Sequence, residues 1–214
     1  MQNSYKISHF GLIRHAQTVW NREKKIQGHS DSPLTTDGKR QASGWGQILS
    51  QFSWDRILAS DTGRALETAD RINRVLNLSL TTDDRLREQD WGRWTGKTIS
   101  QIKTEEPQMV AAQVNAGWDF RPPGGEDRNR VLHRSKTALL EAAVRWPGDN
   151  LLVVTHEGVI KCIIYHLCGR KFLPTEPPLL KSYQLHRLVH DRDGLRLEAA
   201  NAQALASTSH EKLM

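Results

Sequence analysis

From Leu151 to Thr155 the chain carries no charged side chain and does not alternate apolar with polar residues. It then runs straight into His156-Glu157-Gly158. A strand with one wet face alternates, whereas one buried on both faces of a parallel sheet reads as a continuous apolar run. This run therefore demands helices on both sides of a sheet, and most of the remaining pattern supplies them. His9 to Ile13 reads as a second short buried strand ending in Arg14-His15, and Arg56 to Ala59 as a third.

Helical spacing places Ala42, Trp45, Leu49 and Phe52 on one stripe of a helix over Thr36 to Phe52. Ser60 and Asp61 offer an N-cap for a helix from Thr62 to Leu76, with Ala65, Ala69, Ile72 and Leu76 inward. Thr98-Ile99-Ser100-Gln101 has the form of a capping box, and Pro107 ends or bends the helix it opens. Pro122-Pro123-Gly124-Gly125 is a loop, and Asp127 to Trp146 a long helix with Val131, Ser135, Ala138, Leu139, Ala142 and Trp146 inward. Gly158 to Leu167 is the last helix. Asp193-Gly194 then joins Gln184–Val189 to Leu195–Ala199 as a hairpin.

The expected architecture is a single α/β domain with a mostly parallel central sheet, helices on both faces and one edge hairpin. It should span residues 1–201, with 202–214 a flexible C-terminal tail. A chain of 214 residues, 37% of them hydrophobic and 25% charged, has enough apolar surface for a core and is too apolar for disorder.

The net charge of +6 favours anionic partners, yet the lysines and arginines are scattered without a run of five. Trp91 and Trp94 are the only tryptophans among arginines, which is too little for a nucleic-acid stripe. A small phosphorylated substrate is expected instead, with no nucleic acid and no membrane partner. Cys162 and Cys168, six apart on a helix, face different ways and read as reduced thiols. A polar N-terminus and no apolar run near ~20 residues point to the cytoplasm. The proline-rich stretch Pro174 to Pro178 leaves two readings open, a homodimer contact or a surface loop.

Ligands in open α/β sheets bind beyond the carboxyl ends of the strands. Arg14-His15, Ser60 to Arg64 and His156-Glu157 all fall at such ends. Arginine forks match phosphate oxygens, and a neutral imidazole nitrogen can attack phosphorus or move a proton. Arg64 lies in the first turn of its helix, where a cation opposes the helix dipole unless an anion sits between them. Glu88, in Leu86-Arg87-Glu88-Gln89-Asp90-Trp91-Gly92-Arg93-Trp94, is a carboxyl beside aromatic rings that can serve as an acid near a bound phosphate. His156-Glu157 also opens like a metalloprotease helix, but Ile160 stands where the second histidine is needed.

Together these segments resemble the histidine phosphatase, or phosphoglycerate mutase-like, superfamily from about Gly11 to Ile164. Arg14-His15-Ala16-Gln17-Thr18 with Asn21 is similar to its first signature. Gln27-Gly28, Asp31, Pro33-Leu34-Thr35 and Gly38 are similar to the segment that follows. Ser60, Arg64-Ala65 and Thr68-Ala69 resemble the second signature, Leu86-Arg87-Glu88 with Gly92, Trp94 and Gly96 the acid loop, and His156 with Gly158-Val159-Ile160 the last. The resemblance implies that His15 is a nucleophile that becomes phosphorylated. It implies that Arg14, Arg64 and His156 complete the phosphate pocket and that Glu88 is the general acid and base, with no metal and no other cofactor. Asn21, Gln27 and Gly28, together with Glu157 and Gly158, are expected to bind substrate.

Ala16 replaces a usual glycine and is expected to crowd the nucleophile. Gln17 replaces a usual glutamate. Glu157 replaces a common glycine, either raising the pKa of His156 or facing the substrate. The compact chain resembles the phosphatase branch. A cofactor-dependent phosphoglycerate mutase is the alternative, and a non-catalytic phospholigand-binding module is the alternative of another class. Trp20, Arg22, Lys24, Lys25, Trp118 and Arg121 are the candidates for a cap that reads the leaving group.

Overall fold

The computed structural model describes residues 6–205. Six strands form one sheet: β1 (Ser8–Arg14), β2 (Arg56–Ala59), β3 (Ser79–Thr82), β4 (Asn150–Thr155), β5 (Gln184–Asp191) and β6 (Gly194–Ala204). They lie in the order β3-β2-β4-β1-β5-β6. The first four are mutually parallel, and the β5–β6 hairpin adds antiparallel to β1. Among the described residues seven α-helices pack around them: α1 (Val19–Arg22), α2 (Thr36–Leu49), α3 (Gly63–Leu76), α4 (Ile99–Glu105), α5 (Pro107–Val114), α6 (Arg128–Arg145) and α7 (Glu157–Leu167).

The period-two alternation of β4 splits its apolar run between two cores. Leu151 and Val153 face α6 and α7, with Phe10, Leu12, Val131, Leu139 and Ile163. Leu152 and Val154 face α2 and α3, with Ile13, Ile57, Trp45, Leu49 and Ile72. Each such fully buried side chain contributes about 1.5–3 kcal/mol of transfer free energy. A third, smaller core of Trp94, Ile102 and Phe120 lies under α4 and α5 and backs the loops over the sheet's end.

The two cores also locate the crevice. β1 and β4 are neighbours in register, with Arg14 opposite Thr155. The chain leaving β1 leads to α2 on one face, and the chain leaving β4 leads to α7 on the other. Successive elements diverge there, which is the topological switch point of an open sheet.

Several local expectations need correction. Thr62, not Ser60 or Asp61, is the N-cap residue of α3, and it makes no side-chain cap bond. The Ser60 hydroxyl and the Asp61 carboxylate are engaged elsewhere, by His156 and Arg87. α2 stops at Leu49, so Phe52 packs on its core from beyond the helix. Pro107 does not merely end α4; it opens α5, where its missing N–H costs nothing. β3 carried too little apolar signal to be anticipated, because its residues are at most half buried. β6 runs on to Ala204, paired with Gln184, and Leu205 is buried, so the tail cannot begin at residue 202. Residues 206–214 of that expected tail lie outside the described residues.

Candidate active site

The backbone brings the ends of three strands level. The His15 N–H donates to the Thr155 carbonyl at 2.9 Å, and the Ser60 N–H to the Val154 carbonyl at 2.9 Å. Arg14, His15, Ser60 and His156 therefore meet at one edge. His15 and His156 are both buried, with ring centroids 5.2 Å apart in an edge-on arrangement. Nδ1 of His15 lies 2.8 Å from the Ala16 carbonyl, which can only accept, so Nδ1 carries the proton and Nε2 keeps its lone pair. Burial, then the charges of Arg14 and Arg64, hold the His15 pKa well below its ordinary value. Burial and Arg64 do the same to His156. Both rings are consequently neutral at pH 7.

Arg64 is fully buried in the first turn of α3. Its guanidinium donates to the Ser30 and Gly28 carbonyls, each at 2.8 Å, and to Asp31 Oδ1 at 3.1 Å. Gly28 has φ +54°, a backbone shape that favours glycine, and this conformation accompanies the carbonyl's bond to Arg64. Arg14 Nη1 donates to Glu157 Oε2 at 2.5 Å, and Lys161 Nζ holds the other oxygen at 2.6 Å. Burial pushes the Glu157 carboxyl up, but Arg14 and Lys161 outweigh it and leave the pKa lowered. Glu157 does not raise the pKa of His156, which is depressed; it faces Arg14 and the cavity instead.

Glu88 reaches the same place from the loop after β3. Its Oε1 accepts the Gln89 N–H at 2.8 Å and its Oε2 the Gly158 N–H at 3.2 Å. The loop is held by Arg134 of α6, a residue that nothing in the sequence singled out. Arg134 donates to the carbonyls of Arg85 and Arg87, each at 2.6 Å, and of Glu88 at 2.9 Å, and pairs with both oxygens of Glu126 at 2.8 Å. These partners lie up to 49 residues away, so no local spacing signals them.

A cavity of about 320 Å³ opens on this cluster. Its walls include Arg14, His15, Asn21, Gln27, Gly28, Arg64, Glu88, Glu157 and Gly158, nine of the ten residues singled out for the site. His156 is the exception: it is wholly buried, with its ring 5.2 Å from that of His15. Asn21 spends its Oδ1 on the Thr18 N–H as the capping box of α1, leaving its amide N–H groups as the remaining donors.

Of the cap candidates only Lys25 lines this cavity. Arg121 lines a separate one, Trp118 packs edge-on against Phe172, and Trp20 lies against Gly96. Lys161, Arg128 and Phe172 do line the site and were missed. Lys161 had a signal, the i,i+4 spacing to Glu157 on α7. Ala16 does not crowd His15: its methyl is buried in the core under α2 and α3. Gln17 turns away, accepting the Thr35 hydroxyl at 2.9 Å.

Around a neutral imidazole, three buried nitrogens have no partner: Arg14 Nε, Arg64 Nε and His156 Nδ1. Buried polar atoms are almost always paired, and an unpaired one costs on the order of 1–3 kcal/mol. The arrangement can take an anion's oxygens, offer a nucleophilic nitrogen, and move a proton on a nearby carboxyl. Among the described residues, no three His, Cys, Asp or Glu side chains group as metal ligands do, and no helix is long and apolar enough to cross a membrane.

Known proteins share this fold. YhfR of Bacillus stearothermophilus superposes with a TM-score of 0.82 at 28% identity, over 92% of this chain and 98% of that one. The mycobacterial glucosyl-3-phosphoglycerate phosphatase Rv2419c, solved with VO3, gives 0.79 at 28% identity over 91% and 99%. In sequence, the probable phosphoglycerate mutase GpmB of Salmonella choleraesuis is 36% identical over 158 residues, 74% of each chain. The profile of the histidine phosphatase superfamily (branch 1) matches residues 10–203, which takes in all or most of every strand of the sheet and every residue of the cluster. With paired arginines and histidines at the switch point and a carboxyl above them, this chain belongs to branch 1 of the histidine phosphatase superfamily.

Proposed function

We propose that the chain is a metal-independent phosphomonoesterase that hydrolyses a small phosphorylated metabolite in the cytoplasm through a phosphohistidine on His15. The observation that carries this reading is the ring of unpartnered buried nitrogens on Arg14, Arg64 and His156 around a neutral His15. Nε2 of His156 lies 2.9 Å from the Ser60 hydroxyl, and in the tautomer this reading requires that hydroxyl donates and the imidazole's proton sits on Nδ1. The three groups then form a donor set for the phosphoryl oxygens. Phosphoryl transfer asks for positioning and charge stabilisation above all.

His15 Nε2 attacks phosphorus and a P–N bond forms as the P–O bond to the leaving group breaks. Glu88 gives its proton to the departing oxygen. A water then attacks the phosphohistidine while Glu88 takes its proton, the P–N bond breaks, and phosphate leaves. Asn21 and Gln27 bind the ester, and the Gly28 and Gly158 backbones shape the cavity around it.

The name of the Salmonella relative favours a second reading, a phosphoglycerate mutase, which shares the first half of this chemistry. Phosphate release from 4-nitrophenyl phosphate in excess chelator, for the wild type and His15→Ala, tests the first. The wild type turns over, and the variant loses roughly 10³-fold or more. Full activity in His15→Ala rules out the phosphohistidine. Primer-dependent isomerisation of phosphoglycerate that outpaces phosphate release supports the mutase instead.

A further inference from the structure

Five basic side chains line the cavity, and four of them already face a carboxylate. Arg14 and Lys161 share Glu157, Arg64 pairs with Asp31, and Lys25 pairs with Glu23 at 2.9 Å. Arg128 is different. Among the described residues no carboxylate pairs with it, and its one hydrogen bond goes from Nη1 to the Gly117 carbonyl at 2.7 Å. Its guanidinium is clamped between two rings, with its carbon 4.3 Å from the centroid of Phe120 and 4.4 Å from that of Phe172. Phe172 adopts φ +61°, a left-handed shape that costs a bulky residue energy and persists only where the surroundings impose it.

A guanidinium stays charged at any physiological pH, and a partly buried charge without a counter-ion is unfavourable. The two rings hold this charge at one place on the wall of the cavity that Arg14, His15 and Arg64 also line, and it is not among the charges that act on His15 or His156. The bidentate fork of arginine matches a carboxylate or a second phosphate.

Building on the phosphatase reading, we infer that Arg128 is a specificity-determining residue that binds an anionic group on the leaving half of the ester, so that the substrates are phosphomonoesters carrying a second negative charge. Neutral sugar or alcohol phosphates would leave the Arg128 fork unpaired. Arg128 is not a catalytic residue here, since it recognises the part of the molecule that departs.

The test is binding, which needs no turnover. Calorimetry with His15→Ala compares neutral and anionic partners of equal size: glycerol 3-phosphate with 3-phosphoglycerate, and phenyl phosphate with 4-carboxyphenyl phosphate. 1,4-Phenylene bisphosphate reports a second phosphate in place of a carboxylate. The anionic member of at least one pair should bind ~10–100-fold tighter, the worth of a charge-assisted bond. Adding Arg128→Met keeps a long apolar side chain between the two rings. It should erase that preference while leaving the neutral esters within about twofold, and Arg128→Lys should restore part of it. Equal binding of both members by the His15→Ala protein overturns the inference. So does an Arg128→Met variant that weakens neutral and anionic esters alike, the signature of a purely structural clamp. Phosphate release by the wild type is scored separately, so an inactive protein that still prefers anionic esters refutes the phosphatase reading and not the role of Arg128.

Discussion

The amide of Gly158 donates to Glu88 Oε2 at 3.2 Å, and a Cβ on residue 158 would stand 2.2 Å from Glu88 Oε1. The first turn of α7 and the carboxyl of the acid loop thus occupy a space that admits no side chain. The clash falls on the tip of a flexible side chain, so Gly158→Ala should displace the carboxyl and leave the fold nearly as stable. The expected loss is ~10²-fold in kcat for an alkyl phosphate, whose leaving oxygen needs a proton, and far less for a dinitrophenyl phosphate. Equal losses on both esters would show that Glu88 is not the acid.

Arg134 ties three carbonyls of the acid loop to α6 and neutralises the buried Glu126. Arg134→Met leaves that carboxylate only the Arg130 cation, at 3.8 Å, and should destabilise the chain by up to roughly 3–5 kcal/mol in chemical denaturation. Adding Glu126→Gln should recover much of the stability, because the poorly paired charge is gone. Activity on alkyl phosphates should stay low in the double variant, since the carbonyls of Arg85, Arg87 and Glu88 still lack their donor. Recovery of both together would reduce Arg134 to a structural ion pair.

Glu157 bridges Arg14 and Lys161 and so offsets charge that a phosphate ester would otherwise meet. Glu157→Gln keeps a hydrogen-bonding oxygen for Arg14 but removes the negative charge. The expectation is a KM for phosphate esters lower by about 3–10-fold, with the gain shrinking as salt rises. An unchanged or higher KM would mean that Arg14 is already free to meet substrate.

Burial lowers the pKa of His15 and His156 well below the usual imidazole value and takes His186 to about 4. The unfolded chain binds those protons near pH 6.5 and the folded chain does not. Protonation therefore favours unfolding, and stability should be full above pH 6.5 and fall as the pH drops below it. Denaturation at pH 7.5 and pH 5 should differ by roughly 1–2 kcal/mol for each of these histidines. His186→Gln should remove one share of the slope. A protein equally stable at both pH values would contradict the burial of these rings. Asp61, whose carboxylate Arg87 holds below its ordinary value, titrates below this window.

Much of this protein is determined by its sequence alone, because the deciding forces are local. The unbroken run before His156 requires a strand covered on both faces, and helical stripes such as Ala42-Trp45-Leu49 supply the cover. Nine of the ten residues singled out from their place at strand ends and from signature spacing line one cavity, because strand ends at a switch point converge whatever the loops do. Tertiary structure alone decided the rest. Arg134 finds its carbonyls 46 to 49 residues away, and Arg128 finds Phe172 by a fold of the chain that no period encodes. Whether Glu157 raises the pKa of His156 or faces the substrate is likewise decided only by how α7 docks on the sheet, which sets the carboxylate against Arg14, since a side chain's partner depends on which elements meet. Short-range pattern specifies elements and strand ends; charge pairing across the cavity exists only once those elements have packed.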